Sequence, residues 1–251
     1  MTPRLYLGCA GWSIPSAFSS TFSGKGTHLQ RYADVLSAVE INSSFYRPHR
    51  PGTYARWRDS VPDSFRFSVK IPRDITHIQR LRDTEDTLDR FLSEVRHLEE
   101  KLGCLLLQLP PSLVFKQNEV ADFMNLLRER FEGHMVCEPR HASWTNDEAI
   151  ALLRQFSVAL VIADPVPIPQ KEVPDVDTTY LRLHGSPEMY KSSYPDDALQ
   201  SIAERLARQT HKTSNVWCIF DNTMDGAAIR NALTLRELWE KNRLAPGSTR
   251  A

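Results

Sequence analysis

The stretch from Thr87 to Arg130 contains one complete example of a pattern that recurs along this chain of 251 residues. A helical segment, Thr87–Leu102, precedes the run Cys104-Leu105-Leu106-Leu107-Gln108-Leu109, and a second helical segment, Glu119–Arg130, follows it. In the first segment, apolar residues recur at the spacing of one helix face. The central run is almost continuously apolar, which is typical of a parallel strand covered on both faces. The stretch therefore predicts a buried strand between two helices.

Seven further short runs share this length and apolar character. They are Leu5–Ala10, Ala38–Asn42, Phe65–Lys70, His134–Glu138, Val158–Ala163, Thr179–His184 and Val216–Asp221. Eight strands in this chain leave about 31 residues for each strand with its helix and loops, the size of one β/α unit. We therefore predict an α/β fold, a single TIM-type β/α barrel of parallel strands that occupies residues 1–251 as one domain. An open doubly wound sheet is the alternative, but no glycine-rich phosphate-binding sequence follows any strand.

Helical patterns lie between most of the predicted strands. A capped helix begins near Trp144 and ends near Phe156, and two more cover Asp196–Thr210 and Asp225–Lys241. After Asp164, prolines at positions 165, 167, 169 and 174 interrupt the pattern. Proline removes a backbone donor and clashes with the preceding helical turn. We therefore expect a proline-rich loop to replace the helix after the sixth strand.

The composition restricts the classes of function. The 31 basic residues equal the 31 acidic ones, so the formal net charge is zero, whereas dedicated polyanion binders usually carry a basic excess. The hydrophobic fraction of 41% is that of a globular protein. No apolar stretch is long enough to span a membrane, and the N-terminus lacks the apolar core of a signal peptide. We expect a cytoplasmic protein with no membrane partner, and we expect the four separated cysteines to be buried, free thiols.

Polar residues collect at the carboxyl ends of seven of the eight predicted strands, and Trp12 follows the remaining one. In β/α barrels, ligands bind at this end, called the mouth. The candidate residues are Glu40, Asn42, Lys70, Gln108, Glu138, Arg140, His141, Asp164, Arg182, His184, Asp221 and Asn222, with Trp12, Tyr46 and Trp144 as aromatic walls. Burying so many charges costs several kcal/mol unless they are paired, so this concentration indicates a site rather than chance.

The same strand ends carry a resemblance to a known family. In order, the motifs are Gly8-Cys9-Ala10-Gly11-Trp12, Val39-Glu40-Ile41-Asn42-Ser43-Ser44-Phe45-Tyr46, Phe65-Arg66-Phe67-Ser68-Val69-Lys70, Ile75-Thr76-His77, Leu107-Gln108-Leu109-Pro110-Pro111, Glu138-Pro139-Arg140-His141-Ala142-Ser143-Trp144 and Tyr180-Leu181-Arg182-Leu183-His184-Gly185. This ordered series, which covers nearly the whole chain, resembles the YecE-like family, domain of unknown function 72. The resemblance implies a β/α barrel and no established activity. The sequence departs from the family pattern at Ala10, Pro139 and Asp221, where Ser, Phe and Asn are the family residues.

The chemistry of the candidate set favours a small polar or anionic ligand. Arg140, Arg182 and Lys70 would hold a carboxylate or phosphate, because guanidinium groups bind such anions bidentately. His184, with Glu138 or Glu40, would transfer protons near neutral pH. We therefore assign His184, Glu138, Glu40 and Lys70 as candidate catalytic residues and the other eleven as candidate ligand-binding residues. The sequence specifies neither a cofactor nor a reaction class.

Three structural or chemical alternatives apply to the same residues. Glu40, Glu138, Arg140 and Arg182 would instead form a buried ion-pair lattice that holds the barrel together. A metal site is a further alternative, but three cations at the mouth compete for its carboxylates and no metal-ligand spacing is present, so we assign no metal ligand. A Schiff-base role for Lys70 would require burial or a neighbouring cation to lower its pKa.

Two alternatives belong to other functional classes. The segment from Tyr46 to Arg58 is basic and aromatic, a mixture that stacks bases and contacts phosphates in nucleic-acid binders, including metal-dependent phosphodiesterases. A surface helix with Tyr54 and Trp57 packed inward explains the segment better. The second alternative is a non-catalytic barrel that senses a ligand or binds a partner, with Tyr190, Tyr194 and the proline-rich loop at its surface.

Overall fold

The computed structural model describes residues 4–168 and 176–244 of the chain and shows a closed barrel of eight parallel strands. Each strand pairs with its neighbour in sequence, and the first strand pairs with the last. The strands are β1 (Arg4–Ala10), β2 (Ala38–Ile41), β3 (Arg66–Lys70), β4 (Leu102–Gln108), β5 (Met135–Glu138), β6 (Val158–Asp164), β7 (Thr178–Leu183) and β8 (Asn215–Phe220). The predicted TIM-type barrel is confirmed, and every strand lies within two residues of its predicted bounds.

Helices cover the outside of the barrel between most of the strands. They are α1 (His28–Ala33), α2 (Pro51–Asp59), α3 (Glu85–Val95), α4 (Gln117–Arg128), α5 (Asp147–Gln155), α6 (Asp196–Thr210) and α7 (Ala227–Leu244). The α5 helix begins at a true cap, because the Asn146 side chain accepts a hydrogen bond from the Ala149 amide at 2.8 Å. The helix predicted over Thr87–Leu102 ends earlier as an α-helix, and its last part, Arg96–Lys101, is a 3₁₀ helix.

The segment between β6 and β7 departs from the strand–helix alternation in the part that the structure describes. Residues 165–168 and 176–177 form no helix. The predicted proline-rich loop falls partly on residues 169–175, which lie outside the described residues. The described part agrees with the expectation that the prolines exclude a regular helix.

Side chains along each strand alternate between the barrel interior and the helix layer, so the buried residues form two apolar cores. Every second residue points into the barrel, where Tyr6, Leu106, Val136 and Tyr180 belong to one cluster with Trp217. The remaining strand residues pack against the helices in a larger cluster. All four cysteines are buried and free, as predicted.

The indole of Trp217 fills the amino-terminal part of the barrel interior. It stacks on Tyr180 with ring centroids 5.8 Å apart and contacts Tyr6 at 4.6 Å. A Cβ atom at Gly103 would lie 2.6 Å from this indole, so glycine there provides the space for the ring. Because these large side chains fill the amino-terminal part of the interior, the inward polar residues can contact one another only at the carboxyl-terminal end, the mouth. Among the described residues, no helix is long and apolar enough to cross a membrane.

Candidate functional site

Arg182 lies at the centre of a buried ion-pair lattice, which consists of Glu40, Glu138, Arg182, His184 and Asp221. Its guanidinium contacts Glu40 with two bonds, Nε to Oε2 at 3.0 Å and Nη2 to Oε1 at 2.8 Å. The same group contacts Glu138 Oε2 at 3.1 Å and Asp221 Oδ2 at 2.9 Å. All these residues are almost completely buried. Three carboxylates around one guanidinium satisfy its planar fork of donors, which compensates part of the cost of burying the charges.

His184 is held between two carboxylates of the lattice. Its Nε2 lies 3.1 Å from Glu138 Oε1 and its Nδ1 lies 3.0 Å from Asp221 Oδ2. Burial by itself lowers the pKa of His184, but the hydrogen bonds to Asp221 and Glu138 outweigh it, and the net shift is upward. The protonated ring donates from both nitrogens to these carboxylates, and the raised pKa favours this form. This geometry leaves no ring nitrogen free to accept a proton from a ligand.

Hydrogen bonds extend the lattice on both sides. The Tyr180 hydroxyl lies 2.9 Å from Glu40 Oε2 and 2.9 Å from Ser68 Oγ. The Arg140 guanidinium donates to Glu138 Oε1 at 2.9 Å and to the Tyr190 hydroxyl at 3.1 Å. Burial opposes ionisation of Glu138, but Arg182, His184 and Arg140 hold its pKa well below the usual range. All three carboxylates of the lattice therefore have a cationic partner in the protein.

A cavity of about 440 Å³ opens directly above the lattice; we call it the mouth cavity. Its lining combines cations, amides and aromatic rings with one carboxylate. The lining residues are Asn42, Phe45, Tyr46, Lys70, Arg73, His77, Gln108, Arg182, Tyr190, Asp221, Thr223 and Met224. The volume is in the range of sites that hold small metabolites.

Lys70 and Arg73 carry the positive charge of this cavity that the lattice does not neutralise. Within the described residues, neither side chain has a carboxylate within 4 Å. The Lys70 ammonium lies 4.0 Å from the centroid of the Phe45 ring and is 5% exposed as a residue. Burial and the Arg182 charge lower the pKa of Lys70 to about 8. The cavity is therefore electropositive, although the chain as a whole is neutral.

His77 belongs to one of the motifs quoted from the sequence, but it is not among the assigned catalytic or ligand-binding residues. In the structure it lines the mouth cavity and lies in an unusual backbone turn. Residues Asp74–Ile78 form a π-helical turn, closed by the bond from the Gln79 amide to the Asp74 carbonyl at 2.8 Å. The ring nitrogen Nδ1 of His77 lies 2.8 Å from the Thr76 hydroxyl. Burial, with the charges of Lys70 and Arg73, lowers the pKa of His77, so the ring is neutral near pH 7. Single π turns are frequent at functional sites.

Arg73 and Tyr190 also line the cavity. Arg73 is not among the residues proposed from the sequence, and Tyr190 was proposed only as a surface residue of the ligand-sensing or partner-binding alternative. Tyr190 has a positive φ of 69°, a conformation that non-glycine residues rarely adopt. Its ring packs edge-on against His184, with centroids 5.5 Å apart. No periodic signal in the sequence points to either residue, since both lie in loops after their strands.

Six of the eleven predicted ligand-binding residues do not line the cavity. Arg140 is one of them, since it contacts Glu138 and Tyr190 instead, and three more lie outside because of their position in the strand alternation. Inward residues are odd-numbered on β6 and β8 and even-numbered on β5. Asp164, Asn222 and His141 follow the opposite numbering and therefore point away. Asp164 accepts a bond from the Tyr194 hydroxyl at 2.9 Å, Asn222 donates to Ser192 O at 2.9 Å, and His141 bonds Ser143 at 2.8 Å.

The two predicted tryptophan walls do not line the cavity either. Trp144 is completely buried, and its indole N–H donates to the Leu113 carbonyl at 2.9 Å. Trp12 packs against Trp57 of α2, with ring centroids 5.0 Å apart. Tyr46, by contrast, lines the cavity and is 68% exposed. The aromatic part of the mouth is thus formed by Tyr46, Phe45 and Tyr190.

The basic and aromatic segment after β2 adopts the helical arrangement favoured from the sequence. Tyr54 is buried, and Trp57 packs against the core from α2. These two rings are therefore unavailable for stacking on bases. Among the described residues, no group of three or more His, Cys, Asp and Glu side chains is arranged to hold a metal ion.

A conservative change at the edge of the lattice tests the hydrogen bond between Tyr190 and Arg140. Tyr190→Phe removes this bond, and we expect it to lower the free energy of unfolding by about 0.5–1.5 kcal/mol. Denaturant unfolding of both proteins at pH 7 measures the difference. An unchanged midpoint would show that the hydroxyl contributes nothing to the stability of the loop.

Comparison with known proteins identifies the family. The model for the family described as protein of unknown function DUF72 matches residues 6–250. The chain belongs to the DUF72 family. The predicted resemblance is thereby confirmed, in a family whose function is not established.

Individual members of the family support the assignment of this DUF72 chain. UPF0759 protein YunF of Bacillus subtilis (strain 168) is 24% identical over 96% of the chain and 98% of its own length. UPF0759 protein YecE of Escherichia coli (strain K12) is 34% identical, but the match spans only 42% of the chain and 38% of YecE. The crystal structure of a DUF72 family protein from Thermotoga maritima MSB8 has a TM-score of 0.79 at 24% identity and covers 94% of this chain and 99% of that one. The crystal structure of a DUF72 family protein from Enterococcus faecalis V583 has a TM-score of 0.79 at 21% identity. The match covers 94% of this chain and 96% of that one.

Proposed function

We propose that the mouth cavity binds a small organic anion with a carboxylate or phosphate group. The observation that carries this proposal is the distribution of charge. Arg182, Arg140 and His184 contact the three carboxylates of the lattice. Lys70 and Arg73 also face the cavity, but among the described residues neither has a carboxylate within 4 Å. A buried ammonium without a counter-ion is costly, and an anionic ligand supplies the missing charge.

The remaining lining residues complete a site for a small polar molecule. Asn42 and Gln108 present amide groups from the ends of β2 and β4, so they can orient an anion or a neighbouring hydroxyl. Phe45, Tyr46 and Tyr190 supply apolar surface for the carbon skeleton of the ligand. The lattice forms the rigid floor, since its members are fixed by bonds in several directions.

For acid–base chemistry, the geometry supports His77 better than His184. The lowered pKa of His77 keeps its ring neutral near pH 7, and the ring lines the cavity. His184 is clamped between Glu138 and Asp221 and serves the floor of the site. We assign proton transfer to His77, and we assign to Glu40, Glu138 and His184 the role of positioning Arg182.

The affinity of the cavity for anions should fall as the pH rises above about 8. Lys70 loses its charge through this range, because its pKa lies at about 8. Oxalate is a suitable probe, since its charge is constant between about pH 6 and 10. We expect isothermal titration calorimetry to show about tenfold weaker binding at pH 9.5 than at pH 7, the effect of about 1.4 kcal/mol.

Proton uptake and a distant lysine provide the controls. Bound oxalate raises the Lys70 pKa, so complex formation near pH 8 should take up protons, and the measured heat should depend on the ionisation enthalpy of the buffer. Lys25→Met removes an exposed lysine outside the cavity and should leave the titration unchanged. Failure of oxalate, glycolate and inorganic phosphate to bind at pH 7 would refute an anion site.

We also propose a cytoplasmic location for this protein. The four cysteines are free and buried, an arrangement typical of reducing compartments. Fractionation of cells with an antibody against the chain tests this, and recovery outside the cytoplasmic fraction would contradict it.

A further inference from the structure

We propose that Lys70 is a nucleophile, and that its ε-amine forms a covalent imine with a small aldehyde or ketone that also carries a carboxylate or phosphate. This inference rests on the proposed anion site, and it names the substrate class and the reacting atom. Three features of the Lys70 amine support it: its position in the mouth cavity, its burial beside the Arg182 cation, and the lack of a hydrogen-bond acceptor among the described residues.

The position of Lys70 meets the geometric requirements for covalent catalysis. The residue ends β3 and belongs to the inward series that continues from Ser68, so its side chain rises from the barrel interior into the mouth cavity. Its ammonium packs over the Phe45 ring at 4.0 Å. Among the described residues, no hydrogen-bond acceptor or carboxylate holds Nζ. The amine is therefore not held by a hydrogen bond from the described residues, and it faces the cavity that a ligand would fill.

Lys101, which is also buried, provides a comparison, because its contacts are those of a lysine with a structural role. Lys101 Nζ donates to the carbonyl oxygens of Arg58 at 2.9 Å and Val61 at 2.7 Å, and Asp63 lies 3.5 Å away. These acceptors stabilise the protonated form of Lys101 and occupy its donors. Lys70 is equally buried, at 5% exposure for each residue, yet it lacks such acceptors. The contrast indicates that Lys70 is placed for reaction rather than for packing.

The electrostatic environment makes the neutral amine available. Burial and the Arg182 charge lower the pKa of Lys70 to about 8. At neutral pH, the unprotonated fraction is then about a hundredfold larger than for an ordinary exposed lysine. Desolvation beside another cation is the established way to activate a lysine toward carbonyl groups.

The proposed step conserves atoms and electrons and takes up one proton from solvent. The lone pair of Nζ adds to the carbonyl carbon, and the carbonyl oxygen takes up a proton to give a carbinolamine. The hydroxyl group then leaves as water after a second protonation, which forms the C=N bond. Neutral His77, which lines the same cavity, accepts one of the two protons on nitrogen and transfers it to the oxygen. The second proton on that oxygen comes from solvent, and nitrogen keeps its other proton, so the imine carries a positive charge.

The anion-binding groups limit the substrate class. Arg73, which lacks a carboxylate partner in the described part of the chain, would hold the carboxylate or phosphate while Lys70 attacks the carbonyl. The cavity of about 440 Å³ admits compounds of the size of short oxo acids or sugar phosphates. Once formed, the positively charged imine would withdraw electrons from the neighbouring carbon, so proton removal or bond cleavage at that carbon is the expected reaction class.

Reductive trapping on the full chain tests the proposal. The protein is incubated with glyoxylate, pyruvate or pyridoxal 5′-phosphate and sodium cyanoborohydride, which delivers hydride to an imine and makes the adduct permanent. Peptide mass spectrometry then locates the adduct. We expect Lys70 to be modified about a hundredfold faster than exposed lysines such as Lys25 at neutral pH, and we expect excess oxalate to slow this reaction.

Two variants and one ligand analogue make the outcomes distinct. Lys70→Arg should abolish the trapped adduct, while Lys25→Arg should leave it unchanged. Glycolate, which carries the carboxylate but no carbonyl, reports on anion binding in the wild-type protein. If glycolate binds and none of the three probes labels Lys70 preferentially, the nucleophile proposal is wrong and the anion site stands. If oxalate, glycolate and inorganic phosphate all fail to bind and no labelling occurs, both proposals are wrong.

Discussion

Replacement of Arg182 by methionine is expected to lower the free energy of unfolding by about 3–5 kcal/mol, the cost of leaving buried charges without their partner. Arg182 contacts Glu40, Glu138 and Asp221, and all four side chains are at least nine-tenths buried. Methionine fills much of the volume but offers no donor. Equilibrium unfolding in urea at pH 7, followed by circular dichroism, measures the loss.

The pH dependence separates lost ion pairs from lost packing. Arg182 helps to hold the pKa values of Glu138 and Asp221 below their usual range. Carboxylates with a lowered folded-state pKa contribute stability that is present above the unfolded value, about 4, and is lost as the pH falls. The gap between wild type and Arg182→Met should therefore narrow in acid. A gap that is independent of pH would indicate a packing defect instead.

Two companion variants keep this prediction testable even if Arg182→Met folds poorly. The double variant Arg182→Met with Glu40→Gln removes one of the stranded charges, and it should recover part of the stability. Arg140→Met removes the outer partner of Glu138. The Arg140 side chain is 17% exposed, and Glu138 keeps its contacts with Arg182 and His184, so the loss should be about 1 kcal/mol. Equal losses for Arg140→Met and Arg182→Met would contradict the central role of Arg182.

Lys70→Met, unlike Arg182→Met, should raise the free energy of unfolding, while it weakens anion binding. Burial and Arg182 lower the Lys70 pKa from 10.5 to about 8, so the protonated side chain is destabilising in the folded protein at neutral pH. At about 1.4 kcal/mol for each pKa unit, removing the charge should raise the free energy of unfolding by about 2–4 kcal/mol. Oxalate binding at pH 7 should weaken at least tenfold, because the buried cation is gone.

The sign of the pH effect follows from the direction of the shift. A lysine with a lowered folded-state pKa opposes folding most strongly below that pKa, and the penalty disappears as the pH rises toward the unfolded value. The gain in free energy of unfolding of Lys70→Met over the wild type should thus be largest below about pH 8 and disappear near pH 10. Thermal or urea unfolding across this range provides the measurement.

Lys101→Met is the matched control for this prediction. Lys101 is also buried, but its ammonium donates to two carbonyl oxygens, so its loss should leave these acceptors unsatisfied and destabilise the fold by about 1–3 kcal/mol. Opposite signs at positions 70 and 101 would identify Lys70 as a residue kept for function at the expense of stability. A destabilised Lys70→Met variant would refute that interpretation.

The sequence predicted the inner residues of the site better than the outer ones. Glu40, Glu138 and Arg182 continue the inward alternation of their strands, so the period of two places them at the mouth. The same rule, applied to each strand separately, would have excluded Asp164 and Asn222, which carry the opposite numbering. His77 and Tyr190 depend on a π turn and on a positive φ, and neither has a simple periodic signature.

The amino-acid sequence by itself determined the closed α/β barrel and the end of the barrel at which charges meet. Both depend on local patterns of apolar residues, helix caps and prolines, which can be read over a few tens of residues. Only the tertiary structure decided which charges neutralise one another. Arg182 and Glu40 are 142 positions apart, and their pairing depends on distances across the barrel and on exclusion of water, which no local pattern contains. For that reason, the ion-pair lattice and the free amine of Lys70 became distinguishable only in three dimensions.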